Sequence, residues 1–148
     1  MTTIAISKKH KQFACDGRVT TGIIVCDNDI KINSFCKDGV SFNIGFAGAG
    51  SCGDSFKEEI EKTSNIQDSL LNMQEVDWEC LIYLDGVIYL ATDKCRLPCS
   101  INSDIFAIGS GASWAMSAMD FGKSPKEAVK YAMTKDYYTG GKITVKGV

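Results

Sequence analysis

The sequence predicts an α+β domain in which two antiparallel sheets pack together with helices outside each. Three observations point there. Asp38-Gly39 and Asp85-Gly86 are tight-hairpin signals, each placed between strand-forming runs. The helical periodicities are grouped, one group between the two strand blocks and one after the second, instead of alternating with single strands. That grouping disfavours a doubly wound parallel sheet. No Pro/Ser/Gly tract, block of like charge or repeat divides the 148 residues, so 1–148 reads as one domain.

The elements follow in order. Ile4 and Ile6 alternate with smaller residues in a first strand, and Phe13-Ala14-Cys15 forms a second that runs into an Asp16-Gly17 turn. Val40, Phe42, Ile44 and Phe46 alternate with Ser41, Asn43 and Gly45, the pattern of a half-buried strand. A Gly-rich bend, Gly48 to Gly53, precedes a polar helix in which Phe56 and Ile60 share a face and Ser55-x-x-Glu58 reads as a capping box. Ile66, Leu70 and Leu71 allow a short second helix. Leu81 to Leu84 and Val87 to Leu90 form the clearest hairpin. Phe106-Ala107-Ile108 is a strand that ends in Gly109-Ser110-Gly111. Ala112, Ala115, Met116 and Met119 fall on one helical face. Ser124-Pro125-Lys126-Glu127 starts another helix, with Ser at the cap, Pro at the first position and Glu at the third. Lys142 to Val145 reads as a last strand.

Composition removes several functional classes. Lys+Arg 16 against Asp+Glu 18 gives a net charge of −2, without the basic excess that nucleic-acid phosphates require. No apolar run approaches the ~18–20 residues that cross a bilayer. Lys8 and Lys9 follow the first apolar stretch, the reverse of secretory order, so a cytoplasmic protein is expected. The seven cysteines contain no Cys-x-x-Cys, and Cys26 and Cys80 fall in apolar runs. They read as reduced thiols used as small buried residues. Cys95-x-x-x-Cys99 has no second half-site, and neither a metal nor a cofactor is expected. The single histidine, His10, lies among lysines in a solvated turn, which leaves no Ser-His-Asp or Cys-His pair.

What remains is the N-terminus. Met1 precedes Thr2, a small residue of the kind that permits removal of the initiator methionine. Removal would give Thr2 a free α-amine beside its hydroxyl, so that nucleophile and base reside in one residue.

The downstream residues give that pair a context. They run Thr2-Thr3-Ile4-Ala5-Ile6, Ala14-Cys15-Asp16-Gly17-Arg18-Val19-Thr20-Thr21-Gly22, Ile30-Lys31-Ile32-Asn33, Gly45 to Gly50 with Asp54 beyond, Ile108-Gly109-Ser110-Gly111, and Lys135 to Gly141. In order and spacing this resembles the proteasome β-subunit family, HslV-type peptidases included, over nearly the whole chain. The resemblance implies a four-layer αββα sandwich of the N-terminal-nucleophile hydrolase type. It also implies roles. Thr2 matches the nucleophile, Asp16 the carboxylate that orients the catalytic lysine, and Lys31 that lysine. Ser110, Asp136 and Thr139 match the groups beside the amine, with Thr139 in place of a serine. Gly48 and Gly50 are both candidates for the oxyanion donor. Thr20 matches a position whose backbone pairs with extended substrate, and Val19, Asp29 and Asn33 fall near the specificity pocket. Each of these residues alone reads as structural, and only their joint order suggests chemistry.

Two departures from the family pattern stand out. The helical region between the bend and Leu81 is short, about 30 residues. Arg18 and the Asp136-x-x-Thr139-Gly140-Gly141 block look more like the proteasome branch, whereas maturation by simple removal of Met1 looks bacterial. The resemblance implies a threonine-type endopeptidase acting on polypeptides, in a homo-oligomeric ring of six or seven subunits, single or stacked, with an AAA+ unfoldase ATPase as possible partner. The alternatives are a non-catalytic scaffold of the same fold and an amidase or acylase for small amides.

Overall fold

A computed structural model of the chain describes residues 2–148, so the expected removal of Met1 lies outside the described residues. Eleven strands and four helices follow one another in the predicted grouping. β1 (Thr3–Ser7), β2 (Gln12–Cys15), β10 (Ile105–Gly109) and β11 (Thr144–Gly147) form one sheet in the order β10-β1-β2-β11. β5 (Ile32–Lys37), β6 (Val40–Ala47), β7 (Glu79–Leu84), β8 (Val87–Thr92) and β9 (Cys99–Ile101) form the other in sequence order. Every pairing is antiparallel. β3 (Val19–Thr21) and β4 (Ile24–Cys26) make a separate two-stranded ribbon.

Three apolar clusters glue four layers together. Ile4, Ile6, Phe13, Ile32, Leu81, Ile88 and Ile108 fill the space between the sheets. Phe42, Ile44, Phe46 and Trp78 pack on Cys52, Phe56 and Ile60 of α1 (Cys52–Thr63) and Leu70 of α2 (Ile66–Asn72). Ala5, Ala14 and Ala107 meet Ala115, Ala118 and Met119 of α3 (Ala112–Asp120), and Ala128, Val129 and Ala132 of α4 (Pro125–Met133). The alternation of Ile4 and Ile6 with Ala5 is therefore large-inward, small-outward. The isoleucines reach the facing sheet, each worth roughly 1.5–3 kcal/mol of burial, and the alanines let α3 and α4 lie close against the strands.

β6 differs from the half-buried strand its alternation predicts. Its C-terminal half is buried on both faces. Ser41 stays exposed and Asn43 half-buried, but Gly45 is small because the sheets meet there. A Cβ on Gly45 would lie 2.7 Å from Ile32 and 3.1 Å from Ile4.

Both hairpins close as expected for two-residue turns, with positive φ at Asp38 and Gly39 (51° and 79°) and at Asp85 and Gly86 (49° and 78°). Ser124 and Glu127 complete the predicted capping box, and α2 is capped by the Asn65 side chain. Other expectations need correction. α1 starts at Cys52, so Ser55 lies inside it and caps nothing; its hydroxyl turns to Glu75 instead. The last strand starts at Thr144, because the Lys142 N–H is taken by the Asp27 carbonyl. Cys26 is exposed together with Cys36, Cys95 and Cys99. The apolar run around Cys26 belongs to the β3–β4 ribbon, which joins neither sheet and leaves Ile23 wholly exposed. Cys15, Cys52 and Cys80 are the core thiols, and burial pushes Cys15 up to about 11 and Cys52 up to about 12. No helix among the described residues is long and apolar enough to cross a membrane.

The capping box gives a direct check on α4. Ser124→Ala removes the acceptor for the Glu127 N–H and should lower unfolding free energy by about 1 kcal/mol, read by urea denaturation with an unchanged m-value.

Candidate active site

The site grows out of the β1–β2 pairing. That register sets Ile4 opposite Cys15, which brings the next residue, Asp16, beside Thr2 and Thr3. Asp16 is fully buried and accepts five hydrogen bonds. Its Oδ1 takes the Thr2 hydroxyl, the Thr3 N–H at 3.0 Å and Lys31 Nζ at 2.9 Å. Its Oδ2 takes the N–H groups of Gly140 at 3.0 Å and Arg18 at 3.2 Å. Asp16-Gly17 is therefore not a solvated turn but the meeting point of β1, β2, the 140 loop and the lysine.

Lys31 stands just before β5, so the ion pair joins the two sheets. Its side chain is 7% exposed, and its ammonium also donates to the Arg18 carbonyl at 2.5 Å and to Thr2 Oγ1. Thr2 Oγ1 thus donates to a carboxylate and accepts from an ammonium. An isolated buried ion pair costs several kcal/mol of desolvation per ion. Here three further N–H donors on Asp16 and a carbonyl under Lys31 offset that cost.

A second polar cluster flanks the start of β1. Asp136 Oδ2 accepts the Ser110 hydroxyl at 2.5 Å and the Thr139 hydroxyl at 2.6 Å, and Oδ1 accepts the Tyr138 N–H at 3.2 Å. Desolvation works to raise the Asp136 carboxyl, but these donors hold it below the usual carboxylate range. Because Thr139 donates to Asp136, it accepts from Thr3 Oγ1, 2.6 Å away. Ser110 has one proton, directed to Asp136, and the Thr2 carbonyl lies at 3.4 Å as its longer alternative.

Gly109 and Gly111 are fixed by this crowding. A Cβ on Gly109, whose φ is +92°, would lie 2.0 Å from the Thr2 carbonyl oxygen, and one on Gly111 would lie 2.1 Å from Thr3 Oγ1. The Gly-Ser-Gly run is thus a close-approach site. As a helix cap it does little, since α3 begins without a side-chain cap.

An open cleft of about 320 Å³ leads to Thr2. Val19, Thr20, Asp29, Asn33, Gly48 and Gly50 all line it, so the structure brings every expected cleft residue to one surface. The two glycines differ. Gly48 has φ +124° and packs so that a Cβ would lie 2.3 Å from the Asp77 carbonyl, whereas a Cβ on Gly50 would meet only Val19, at 4.0 Å. Position 48 demands glycine and position 50 does not.

Sequence reasoning missed three participants. Thr3 ties the two polar clusters together through Asp16 and Thr139. Asp27 pairs with the Arg18 guanidinium at 2.8 and 3.1 Å, and its carboxyl is held below the usual range by that contact. Gly140 lies under the same guanidinium, where a Cβ would sit 2.5 Å from Arg18 Cζ. The Thr2-Thr3 repeat and the Gly140-Gly141 pair were visible signals, but nothing in local spacing links residues 18 and 27 to residue 140. Among the described residues no group of three or more His, Cys, Asp or Glu is placed to hold a metal ion.

With the geometry in place, the chain can be compared with known proteins. No protein-family model matches the sequence. Proteasome subunit beta type-5 of Gallus gallus is 31% identical over 71 residues, covering 40% of this chain and 26% of that protein; the match spans about a quarter of the curated relative. The eukaryotic HslV of Trypanosoma brucei superposes with a TM-score of 0.71 at 19% identity, covering 97% of each chain. A subunit from the helical assembly of the Anbu complex of Pseudomonas aeruginosa superposes with a TM-score of 0.74 at 10% identity, covering 100% of this chain and 81% of that one. The chain therefore has the proteasome-like, N-terminal-nucleophile hydrolase fold that HslV and Anbu share.

Proposed function

We propose that this chain is a threonine-type peptidase subunit that works within a larger assembly of its own copies, with Thr2 as nucleophile after removal of Met1. The observation that carries the reading is the convergence of Lys31 Nζ and the Asp16 carboxylate on Thr2 Oγ1 at the head of an open cleft.

The chemistry follows from those contacts. The free Thr2 amine, neutral in part near pH 7, takes the hydroxyl proton, and Oγ1 attacks the peptide carbonyl carbon. The Lys31 ammonium stabilises the developing alkoxide and disfavours a second positive charge on the amine. Asp16 holds that ammonium against Thr2 Oγ1. The tetrahedral oxyanion forms over the Gly48–Gly50 bend, which lines the cleft together with Thr2 and would offer backbone N–H groups to it. The protonated amine passes its proton to the leaving amine. Water then hydrolyses the ester, with the same amine as base. Ser110, Thr139 and Asp136 surround the start of β1, where their oxygens would accept hydrogen bonds from the freed amine. Val19, Thr20, Asp29 and Asn33 line the side of the cleft that receives substrate.

A purely scaffolding role gives no reason to bury a lysine and an aspartate against a threonine hydroxyl, since a buried ion pair is seldom a net stabiliser. A small-amide amidase would use the same nucleophile, and hydrolysis of short peptides without hydrolysis of small acyl amides separates the two readings. Association into a ring or a related assembly, an unfoldase partner and a cytoplasmic location are parts of the same proposal. The assembly is supported by the likeness to a subunit of the helical Anbu complex; the unfoldase partner and the location rest on the family resemblance of the sequence alone.

Thr2→Ala should abolish hydrolysis of fluorogenic peptides while assembly, followed by light scattering, persists. Retained activity would overturn the nucleophile assignment. Lys31→Ala should cost at least ~10²-fold in kcat and, because Asp16 is left buried without its cation, about 3–5 kcal/mol of unfolding free energy, so kcat is compared under conditions where circular dichroism shows the variant folded. The kcat/KM of the native enzyme should rise with pH across pH 6–8 as the amine deprotonates. A pH profile that is flat or falls across pH 6–8 would contradict the amine as base.

A further inference from the structure

We infer that Arg96 and Glu75 are positioning residues for the Gly48–Ser51 loop: Arg96 rigidifies the connection between α2 and β7, and Glu75 and Asp77 pass that rigidity to the loop. The inference rests on the reading of Gly48 and Gly50 as oxyanion donors.

Arg96 lies in the loop between β8 and β9 and binds carbonyls. Its guanidinium donates to Leu70 at 3.4 Å, Leu71 at 3.3 Å, Met73, Glu75 at 3.2 Å and Asp93 at 3.1 Å. It also stands 5.7 Å from the Trp78 ring. Leu70 and Leu71 are in the last turn of α2, where carbonyls lack intrahelical partners. Only a guanidinium carries enough donors in a rigid fork to serve them together with Met73 and Glu75 of the connection that follows.

The connection so fixed touches the loop at both ends. At one end Asp77, held at φ +56° with its N–H on Asp93 Oδ2 at 2.7 Å, presents the carbonyl against which Gly48 packs. At the other end Glu75 Oε1 accepts the hydroxyls of Ser55 and of Ser51, the latter at 3.2 Å, and Ser51 is the first residue of α1's cap. Glu75 Oε2 is buried with no hydrogen-bond partner among the described residues. Desolvation works to raise the Glu75 carboxyl, but the hydroxyls of Ser55 and Ser51 hold it below the usual carboxylate range, so the contact that ties the connection to the start of α1 is made by a charged group. The short helical region noted in the sequence explains the need. α2 is only seven residues long, so a side chain supplies the support that a longer helix pair would give.

The test uses the purified, assembled protein with Arg96→Lys, Glu75→Ala and Glu75→Gln. Four readouts are compared: kcat, KM, affinity for a peptide aldehyde, and amide hydrogen exchange in residues 48–52. The aldehyde's hemiacetal oxygen occupies the oxyanion position. Arg96→Lys and Glu75→Ala should lower kcat and aldehyde affinity together by roughly 10- to 100-fold, less than the ~10²–10³ for outright loss of a donor, with KM within about twofold. Exchange in 48–52 should quicken at least about tenfold, and Glu75→Gln, whose amide oxygen still accepts both hydroxyls, should lose less than Glu75→Ala. Unchanged exchange in that loop overturns the inference. So does a fall in kcat that only follows a fall in melting temperature, with aldehyde affinity intact. If the native protein hydrolyses no peptide, the peptidase reading fails, and the exchange measurement still decides whether the strap holds the loop.

Discussion

The buried pair of Asp16 and Lys31 is the constraint on which the rest of the molecule turns. Asp16 follows β2 in one sheet and Lys31 precedes β5 in the other, so their 2.9 Å contact fastens the sandwich at the end where Thr2 emerges. The cost of desolvating both ions is offset only if every remaining lone pair and proton finds a partner. That requirement recruits the backbone of Thr3, Arg18 and Gly140 and the Arg18 carbonyl. The groups that satisfy the pair are therefore the groups that position the threonine. The ion pair and the threonine hydroxyl share one hydrogen-bond network.

Close approach is the second theme. The small side chains of this chain mark places where backbones nearly touch. The Gly109–Gly111 turn presses on Thr2 and Thr3, Gly48 on Asp77, and Gly140 on Arg18. On the outer face of the first sheet, Ala5, Ala14 and Ala107 admit α3 and α4. Large residues face the opposing sheet, where volume is needed. Of these close approaches, the one at Gly48 borders the cleft that leads to Thr2.

Much of the fold was legible in the sequence for local reasons. Asp38-Gly39 and Asp85-Gly86 demand positive φ and fix their hairpins, and Ser124-Pro125-x-Glu127 fixes the start of α4. The gathering of Thr2, Asp16, Lys31, Ser110, Asp136 and Thr139 was anticipated from their order, through resemblance to a known family. No period or spacing puts residues 2 and 136 together. What escaped was non-local. Ser55 looks like a cap until its hydroxyl finds Glu75 twenty residues on, and the apolar run at Cys26 looks like core until the ribbon carrying it proves to join neither sheet. Thr3 and Asp27 escaped because their partners, Thr139 and Arg18, lie across a fold that sequence spacing does not encode.

The central claim is that the reactive nucleophile of this protein is the hydroxyl of an N-terminal Thr2. The most direct measurement is intact-mass spectrometry of the native protein before and after treatment with an acylating peptide β-lactone, with peptide mapping of the adduct. The account predicts a chain that begins at Thr2 and gains one acyl group, carried on that residue. A chain that keeps Met1, or an acyl group found instead on one of the exposed thiols of Cys26, Cys36, Cys95 or Cys99, would contradict it.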